Sequence, residues 1–267
     1  VLKLGGDVVA RADALATVIS EVAGLVEAGW RFVICHGGGP QTSALGRRLG
    51  LEPNMVAGQR VTDETTLTVA CQAIAGEVGC TLVAAAWAAG LAAVGVSAGA
   101  VHARRRAPVQ VASEANRVVD YGLVGDVTRL EISAIEALWS AGLTPVLNSI
   151  GVGSSSGRPQ LLNINADTVA AALASTLRVG HFFAVTAVPG VLRDRHDPGS
   201  RIPSLSASEA RAAIAAGSIA GGMIPKVEEA IAALTGAGAV HILAAEPGAL
   251  AEEARAPGSR GTVIRAL

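Results

Sequence analysis

Arg31-Phe32-Val33-Ile34-Cys35-His36-Gly37-Gly38-Gly39-Pro40 is the stretch that decides the fold. A short apolar strand over residues 31–35 runs into a glycine-rich turn, and Pro40 suits the first turn of a helix reaching about Leu49. Upstream, Leu15, Val18, Ile19, Val22, Leu25 and Val26 fall at helical spacing within residues 10–28. Downstream, a long helix follows Asp63-Glu64, strands are predicted near 92–96, 109–111 and 144–150, and a helix over 131–141. Asn165-Ala166-Asp167 opens an alanine-rich helix to about Leu177. Residues 182–186 read as a buried strand, 206–216 and 223–235 as helices, and 239–244 as a strand. This alternation predicts an α/β chain with a mainly parallel sheet covered by helices on both faces, and short hairpins over 101–127. In such sheets ligands gather at the C-terminal ends of strands, where Gly5-Gly6, Gly37–Gly39 and Val188-Pro189-Gly190 fall.

Composition narrows the function. The chain has 267 residues, 51% hydrophobic and 16% charged, enough for one large domain or two lobes around a sizeable core. A formal net charge of −1 gives no sign of a nucleic-acid partner, and Arg104-Arg105-Arg106 reads as a solvated strand edge or loop. Cys35, Cys71 and Cys80 form no CxxC pair and read as core cysteines of a cytoplasmic protein, not a disulfide framework or zinc site. The N-terminus shows no signal-peptide pattern. Residues 78–101 carry no charge, but Gly90 divides them, so a helix ending near Ala89 and a strand explain them better than a membrane span.

The 21 basic residues comprise 19 arginines and two lysines, Lys3 and Lys226. Where arginine is the default cation, a surviving lysine marks a place that needs a compact ammonium. Lys3-Leu4-Gly5-Gly6 sets a cation and two side-chain-free residues at a strand end, an arrangement that cradles phosphate. His36–Pro40 offers a second anion cradle at a helix N-terminus. Arg60 in Arg60-Val61-Thr62-Asp63 is a forked cation for a carboxylate, with an ion pair to Asp63 or Glu64 as the plain alternative. In Asn163-Ile164-Asn165-Ala166-Asp167, alternation places Asn163 and Asn165 on one face, and Asn165 also suits a helix cap. Gly221-Gly222-Met223-Ile224-Pro225-Lys226 puts a lysine in a first helical turn, where the helix dipole disfavours it. Gly153-Ser154-Ser155-Ser156-Gly157 fits the GxSxG of serine hydrolases, with Asp194 and His241 available as partners, but it leads into an extended segment and not a helix. GxGxxG is absent, so a dehydrogenase is unsupported.

These motifs, together with Val188-Pro189-Gly190-Val191-Leu192, resemble the amino acid kinase family in order and spacing, and within it the branch that phosphorylates N-acetylglutamate. The resemblance implies a three-layer αβα sandwich of the amino acid kinase and carbamate kinase type. It implies a lobe at 1–178 for substrate binding and dimerisation and a lobe at 179–267 for ATP. It implies phosphorylation of the γ-carboxylate of N-acetyl-L-glutamate in arginine biosynthesis, with ATP and Mg²⁺ carried by ATP rather than by a protein metal site. Lys3 and Lys226 would stabilise the transferring phosphoryl group, and Asp167 would hold both lysines. Gly38, Gly39, Arg60 and Asn163 would bind the amino acid. Gly5, Gly6, Ala187, Val188, Pro189, Gly190, Val191, Leu192, Gly221, Gly222 and Met223 would contact the nucleotide. A kinase of carrier-bound aminoadipate or glutamate in lysine biosynthesis, or a non-enzymatic ligand sensor on the same fold, are the alternatives. The chain departs from the family at Ala187, often an aspartate, at Gly76-Glu77-Val78-Gly79, often GKVN, and at Ser97-Ala98, often Asp-Gly. The sequence starts at its first strand, without the N-terminal helix of arginine-sensitive hexameric members, so the resemblance implies a cytoplasmic homodimer that arginine does not inhibit.

Overall fold

The computed structural model describes residues 1–111, 113, 116–194 and 196–266. Its first strands are β1 (Leu2–Leu4), β2 (Ile34–His36), β3 (Met55–Val56), β4 (Gln59–Arg60), β5 (Ala93–Arg105), β6 (Val109–Val111) and β7 (Arg117–Val119). Then come β8 (Gly125–Leu130), β9 (Thr144–Ser155), β10 (Arg158–Asn163), β11 (His181–Thr186), β12 (Ser204–Ser206), β13 (Ala239–Ala244) and β14 (Thr262–Arg265). One ten-stranded sheet has the order β12-β14-β13-β11-β1-β2-β9-β5-β8, with β10 added beside β9. From β13 to β5 neighbouring strands are parallel, as are β12 and β14, while β14 meets β13, β8 meets β5 and β10 meets β9 antiparallel. β3-β4 and β6-β7 form separate two-stranded hairpins.

Strand order reverses at β1. β2, β9 and β5 lie in that order on one side of β1, and the later strands β11 and β13 lie on the other. Such a switch point opens a crevice beyond the C-terminal ends of the strands it separates. The glycine turns after β1 and β2 lie at that end.

Side chains alternate along each strand, and this sorts the sheet into two cores. Leu2, Leu4, Ile34, Phe183, Val185 and Leu243 pack on the face covered by the helices Ala12–Glu27, Gly79–Ala88 and Ala249–Arg255. Cys35, Phe182, Val240 and Ile242 pack on the opposite face, under the helices Ala166–Leu177 and Met223–Ala233. The result is the expected three-layer αβα sandwich. Leu2 and Leu4 are fully buried, each burial contributing on the order of 2 kcal/mol. They lock β1 so that Lys3, between them, faces the second helical layer.

Some boundaries differ from the sequence reading. The strand predicted near 92–96 continues to Arg105, because register shifts after Val96 and Ala98 carry β5 past its glycines. Ala98 takes a left-handed φ of 37° there. The GxSxG stretch is a two-residue hairpin between β9 and β10, with Ser156 and Gly157 both at positive φ, 50° and 77°. That geometry joins two strands and offers no nucleophile elbow. Of the three cysteines only Cys35 is a core residue. Cys71, the last residue of the helix Glu64–Cys71, is half-buried, and Cys80 is exposed because the helix Gly79–Ala88 turns Gly79, Leu82 and Ala86 inward.

The predicted helix after Asp63 runs as Glu64–Cys71, a π-helical Gln72–Val78 and Gly79–Ala88. By length and composition the run Glu64–Ala88 could cross a membrane, and it is the one such helix among the described residues. Its inner side, with Ala70, Ala73, Ile74, Val78, Leu82 and Ala86, is buried in the protein. Residues 93–101, the last part of the uncharged stretch, form β5 inside the sheet.

Candidate active site

Lys3 reaches from the centre of the sheet to Asp167, with Nζ 2.7 Å from Oδ1 and side-chain exposures of 15% and 24%. Asp167 is held at the start of its helix, where its own N–H donates to Asn165 Oδ1 at 2.8 Å. Asn165 is therefore the helix cap that the sequence suggested. Lys226, the fourth residue of the helix Met223–Ala233, is half-buried. Burial and then the nearby Lys3 push its pKa down, against the pull of Asp7, Asp167 and Glu229. Asp167 bonds Lys3 directly, whereas Lys226 makes no ion pair among the described residues. Asp167 thus holds Lys3 by contact, and no ion pair joins it to Lys226 among the described residues.

Lys3, Asp167, Thr186, Lys226 and Glu229 line a cavity of about 90 Å³ with an apolar floor that includes Phe182, Ala184 and Ile242. Glu229 was missed in the sequence. It stands one turn beyond Lys226 on the same helical face, and that spacing was the available signal. Burial, then Asp167, pushes its carboxyl up to about 7, in spite of Lys3 and Lys226.

Lys3 also lines a second cavity, of about 270 Å³, with Gly5, Gly6, Gly38, Gly39, Arg60 and Asn163. The two glycine turns touch here: a Cβ on Gly6 would lie 2.7 Å from Pro40 Cδ. No atom lies within 4 Å of where a Cβ on Gly39 would stand. Gly39 opens the helix Gly39–Arg48, whose first N–H groups have no partner within a helix. Arg60 Nη2 donates to Gly39 O at 3.0 Å and to Ser43 Oγ at 2.6 Å. It does not pair with Asp63, which instead caps the next helix by accepting from Thr66 N at 2.7 Å. Asn163 Nδ2 donates to Thr62 Oγ1 at 3.2 Å, while the intervening Ile164 points into the core.

Arg104 and Arg105 are exposed at the end of β5, as the arginine run was read, whereas Arg106 is half-buried and lines this larger cavity. Its Nε donates to Asp126 Oδ1 at 2.8 Å and its Nη1 to Gln59 Oε1 at 2.7 Å. Ser149, buried at the cavity wall, was also missed. Buried His36, at the end of β2, bonds Gly37 O through Nδ1 at 2.9 Å and leaves Nε2 without a partner. A Cβ on Gly79 would lie 3.7 Å from that atom.

Of the residues predicted for the nucleotide, Gly5 and Gly6 line the larger cavity and none lines the smaller one, whose Thr186 and Lys226 stand close to the others in sequence. Ala187, Val188, Pro189 and Gly190 form the turn after β11, in which Val188 N–H donates to Thr186 Oγ1 at 3.1 Å. Gly221 and Gly222 are exposed ahead of Met223 and the Lys226 helix. Gly5 N–H donates to Val185 O at 3.3 Å, so of the Gly5-Gly6 pair the second N–H is the one left for an anion. Val191 is fully buried; its N–H donates to Thr262 Oγ1 and its carbonyl accepts from Ile202 N, both at 2.8 Å. It anchors the turn and has no group left for a nucleotide. Leu192 bridges to Arg201.

The sequence profile of the amino acid kinase family matches residues 1–244. The acetylglutamate kinase of Sorangium cellulosum (strain So ce56) is 48% identical over 269 residues, covering 99% of this chain and 93% of that protein. The acetylglutamate kinase of Anaeromyxobacter dehalogenans (strain 2CP-C) is 45% identical over 270 residues, covering 99% and 98%. Among solved structures, N-acetylglutamate synthase from Neisseria gonorrhoeae, complexed with coenzyme A and N-acetyl-glutamate, superposes with a TM-score of 0.80 at 26% identity. That match covers 99% of this chain and 58% of the synthase.

Proposed function

The chain belongs to the amino acid kinase family, and on that premise we propose that it phosphorylates the γ-carboxylate of N-acetyl-L-glutamate with ATP in arginine biosynthesis. The product is N-acetyl-L-glutamyl 5-phosphate. The observation that carries the reading is that Lys3 lines both cavities. One cavity offers Gly38, Gly39, Arg60 and Asn163 to a small carboxylate, and the other faces Lys3 with Lys226. A phosphoryl group passing between the two would pass beside Lys3. The relatives' names support the substrate.

In this reading a γ-carboxylate oxygen attacks the γ-phosphorus of Mg-ATP in line, and ADP leaves. Charge in the transition state spreads over the equatorial oxygens, so positioning and neutralisation do most of the work. Lys3 and Lys226 supply the positive charge, and Asp167 fixes Lys3. Two ammonium groups and the Gly6 N–H suit a polyphosphate, and the open side of Gly39 suits the carboxylate. Mg²⁺ comes with the phosphates of ATP. Ala187–Gly190 and Gly221–Met223 flank the nucleotide, residues 1–178 carry the amino-acid site and the dimer contact, and 179–267 carry ATP. The protein works as a cytoplasmic homodimer on small molecules, without nucleic-acid or membrane partners. ADP release with N-acetyl-L-glutamate, L-glutamate and L-2-aminoadipate tests the assignment. Turnover is expected with the first and little with the others, because a free ammonium would enter a pocket already holding Lys3 and Arg60. Equal turnover of glutamate and its acetyl derivative would overturn it.

A further inference from the structure

Glu229 is a carboxyl group in a cavity whose job, on the reading above, is to receive an anion. It lines that cavity with Lys3 from β1, Asp167 from the helix Ala166–Leu177 and Lys226 from its own helix. Among the described residues its carboxyl makes no hydrogen bond and no ion pair within 4.0 Å, so no fixed partner explains its place. The charges around it are mixed: Asp167 and Glu228 oppose its ionisation, while Lys3 and Lys226 favour it. Asp7 faces Lys226 as well. Phe182, Ala184, Ala230 and Ile242 close the cavity from the apolar side. An ionised carboxylate left there would stand against the phosphate charge and draw on the same two ammonium groups.

We propose that Glu229 enters the ATP complex as the neutral carboxylic acid, taking up a proton from solvent as the nucleotide binds and donating its O–H to the polyphosphate that Lys3 and Lys226 hold. The inference rests on the kinase reading of this cavity. It makes Glu229 a nucleotide-binding group that reads pH, and no bond in the nucleotide changes when it acts. The sign follows from the electrostatics. In the empty cavity the carboxyl titrates near 7, so below that value it is already neutral and binding takes up nothing. Above it the carboxyl is ionised until the nucleotide raises its proton affinity further, and ATP then binds with a proton. ATP affinity therefore falls as pH rises above neutrality, by up to about tenfold per pH unit for a single linked proton.

The test is calorimetric titration of the protein with Mg-ATP alone, in two buffers of different ionisation enthalpy, at pH 6 and pH 8. Wild type should take up roughly half a proton or more per nucleotide at pH 8 and little at pH 6. The Glu229→Gln variant keeps a neutral hydrogen-bonding side chain of similar size. It should lose the uptake at pH 8 and retain at pH 8 the affinity that wild type shows at pH 6. ADP release with N-acetyl-L-glutamate is measured on the same preparations. A wild type that turns over but shows no uptake at pH 8, or a variant with unchanged uptake, overturns the role of Glu229 and leaves the kinase reading standing. A wild type that neither binds Mg-ATP nor turns over overturns both.

Discussion

Lys3 and Lys226 are the two lysines among 21 basic residues, and both line the same cavity. Lys3 is closely fitted, with Leu2 and Leu4 buried on either side and Asp167 at 2.7 Å. A guanidinium there would meet Asp167 with a wide planar fork instead of a compact charge. It would also push the reacting groups apart, and misplacement by about 1 Å can cost roughly a hundredfold in rate. Lys3→Arg and Lys226→Arg are therefore each expected to lower kcat by at least about that factor while far-UV circular dichroism and Tm stay near wild type. Near-normal kcat in either variant would mean that its lysine survived by accident of composition. The same scale shows what sequence could and could not reveal. Lys3, Asp167, Arg60 and Asn163 were legible because each stands at a strand end or helix start within a recognisable run. Arg106 was not, because its direction depends on β5 meeting β8, where Arg106 N–H donates to Val124 O at 2.8 Å. Cys80 and Glu229 escaped for a like reason, since the helical face they take is set by what each helix packs against.

At the scale of elements, the site depends on the helix of Asp167 packing against the helix of Lys226. Gly236 follows the helix Met223–Ala233 and sits on the backbone of the other helix: a Cβ there would lie 1.9 Å from Ser175 Cα. No side-chain rotation relieves a clash with backbone, so Gly236→Ala must separate the two helices. Overpacking of this kind costs roughly 1–3 kcal/mol and sometimes more. Because the displaced helix carries Lys226, kcat should fall together with Tm. Gly24→Ala is the matched control, placed in the interior of the helix Ala12–Glu27 with no atom within 4 Å of the added methyl. It should stabilise by about 0.5–1 kcal/mol through helix propensity and leave kcat unchanged. Chemical denaturation and turnover on both variants check the pair, and a Gly236→Ala protein as stable and active as wild type would show that the helices are not fixed by this contact. The alternation of helix and strand up to Ala244 was legible from hydrophobic period and turn residues, whereas β12, the helix Ala249–Arg255 and β14 were not. The length of β5 was not, because a bulge at a left-handed Ala98 has no period to read.

For the whole molecule, the two lobes proposed at 1–178 and 179–267 share one sheet and one pair of cores. β1 lies between β2 and β11, with Leu2 opposite both Ile34 and Phe183. The core under the helix Ala166–Leu177 also includes Val227, Val240 and Ile264 from the second lobe. Trp30 crosses the boundary too, its ring centroid 5.3 Å from that of His181. Neither lobe can leave without exposing apolar surface on the other, so unfolding should be one cooperative event although the chain exceeds the usual two-state size. The tryptophans make this testable, because Trp30, Trp87 and Trp139 all lie in residues 1–178. In a Trp30→Phe variant the two remaining indoles report on the first lobe alone, while far-UV circular dichroism reports on both. If the lobes are one unit, the fluorescence and dichroism transitions in urea coincide in midpoint and slope, and saturating Mg-ATP shifts both by the same amount, since a ligand that binds only the folded state stabilises everything that unfolds with its site. If the ATP lobe is a separate unit, part of the dichroism change responds to Mg-ATP while the indole transition stays where it was, and the shared sheet would then be a contact between two folding units and not the spine of one.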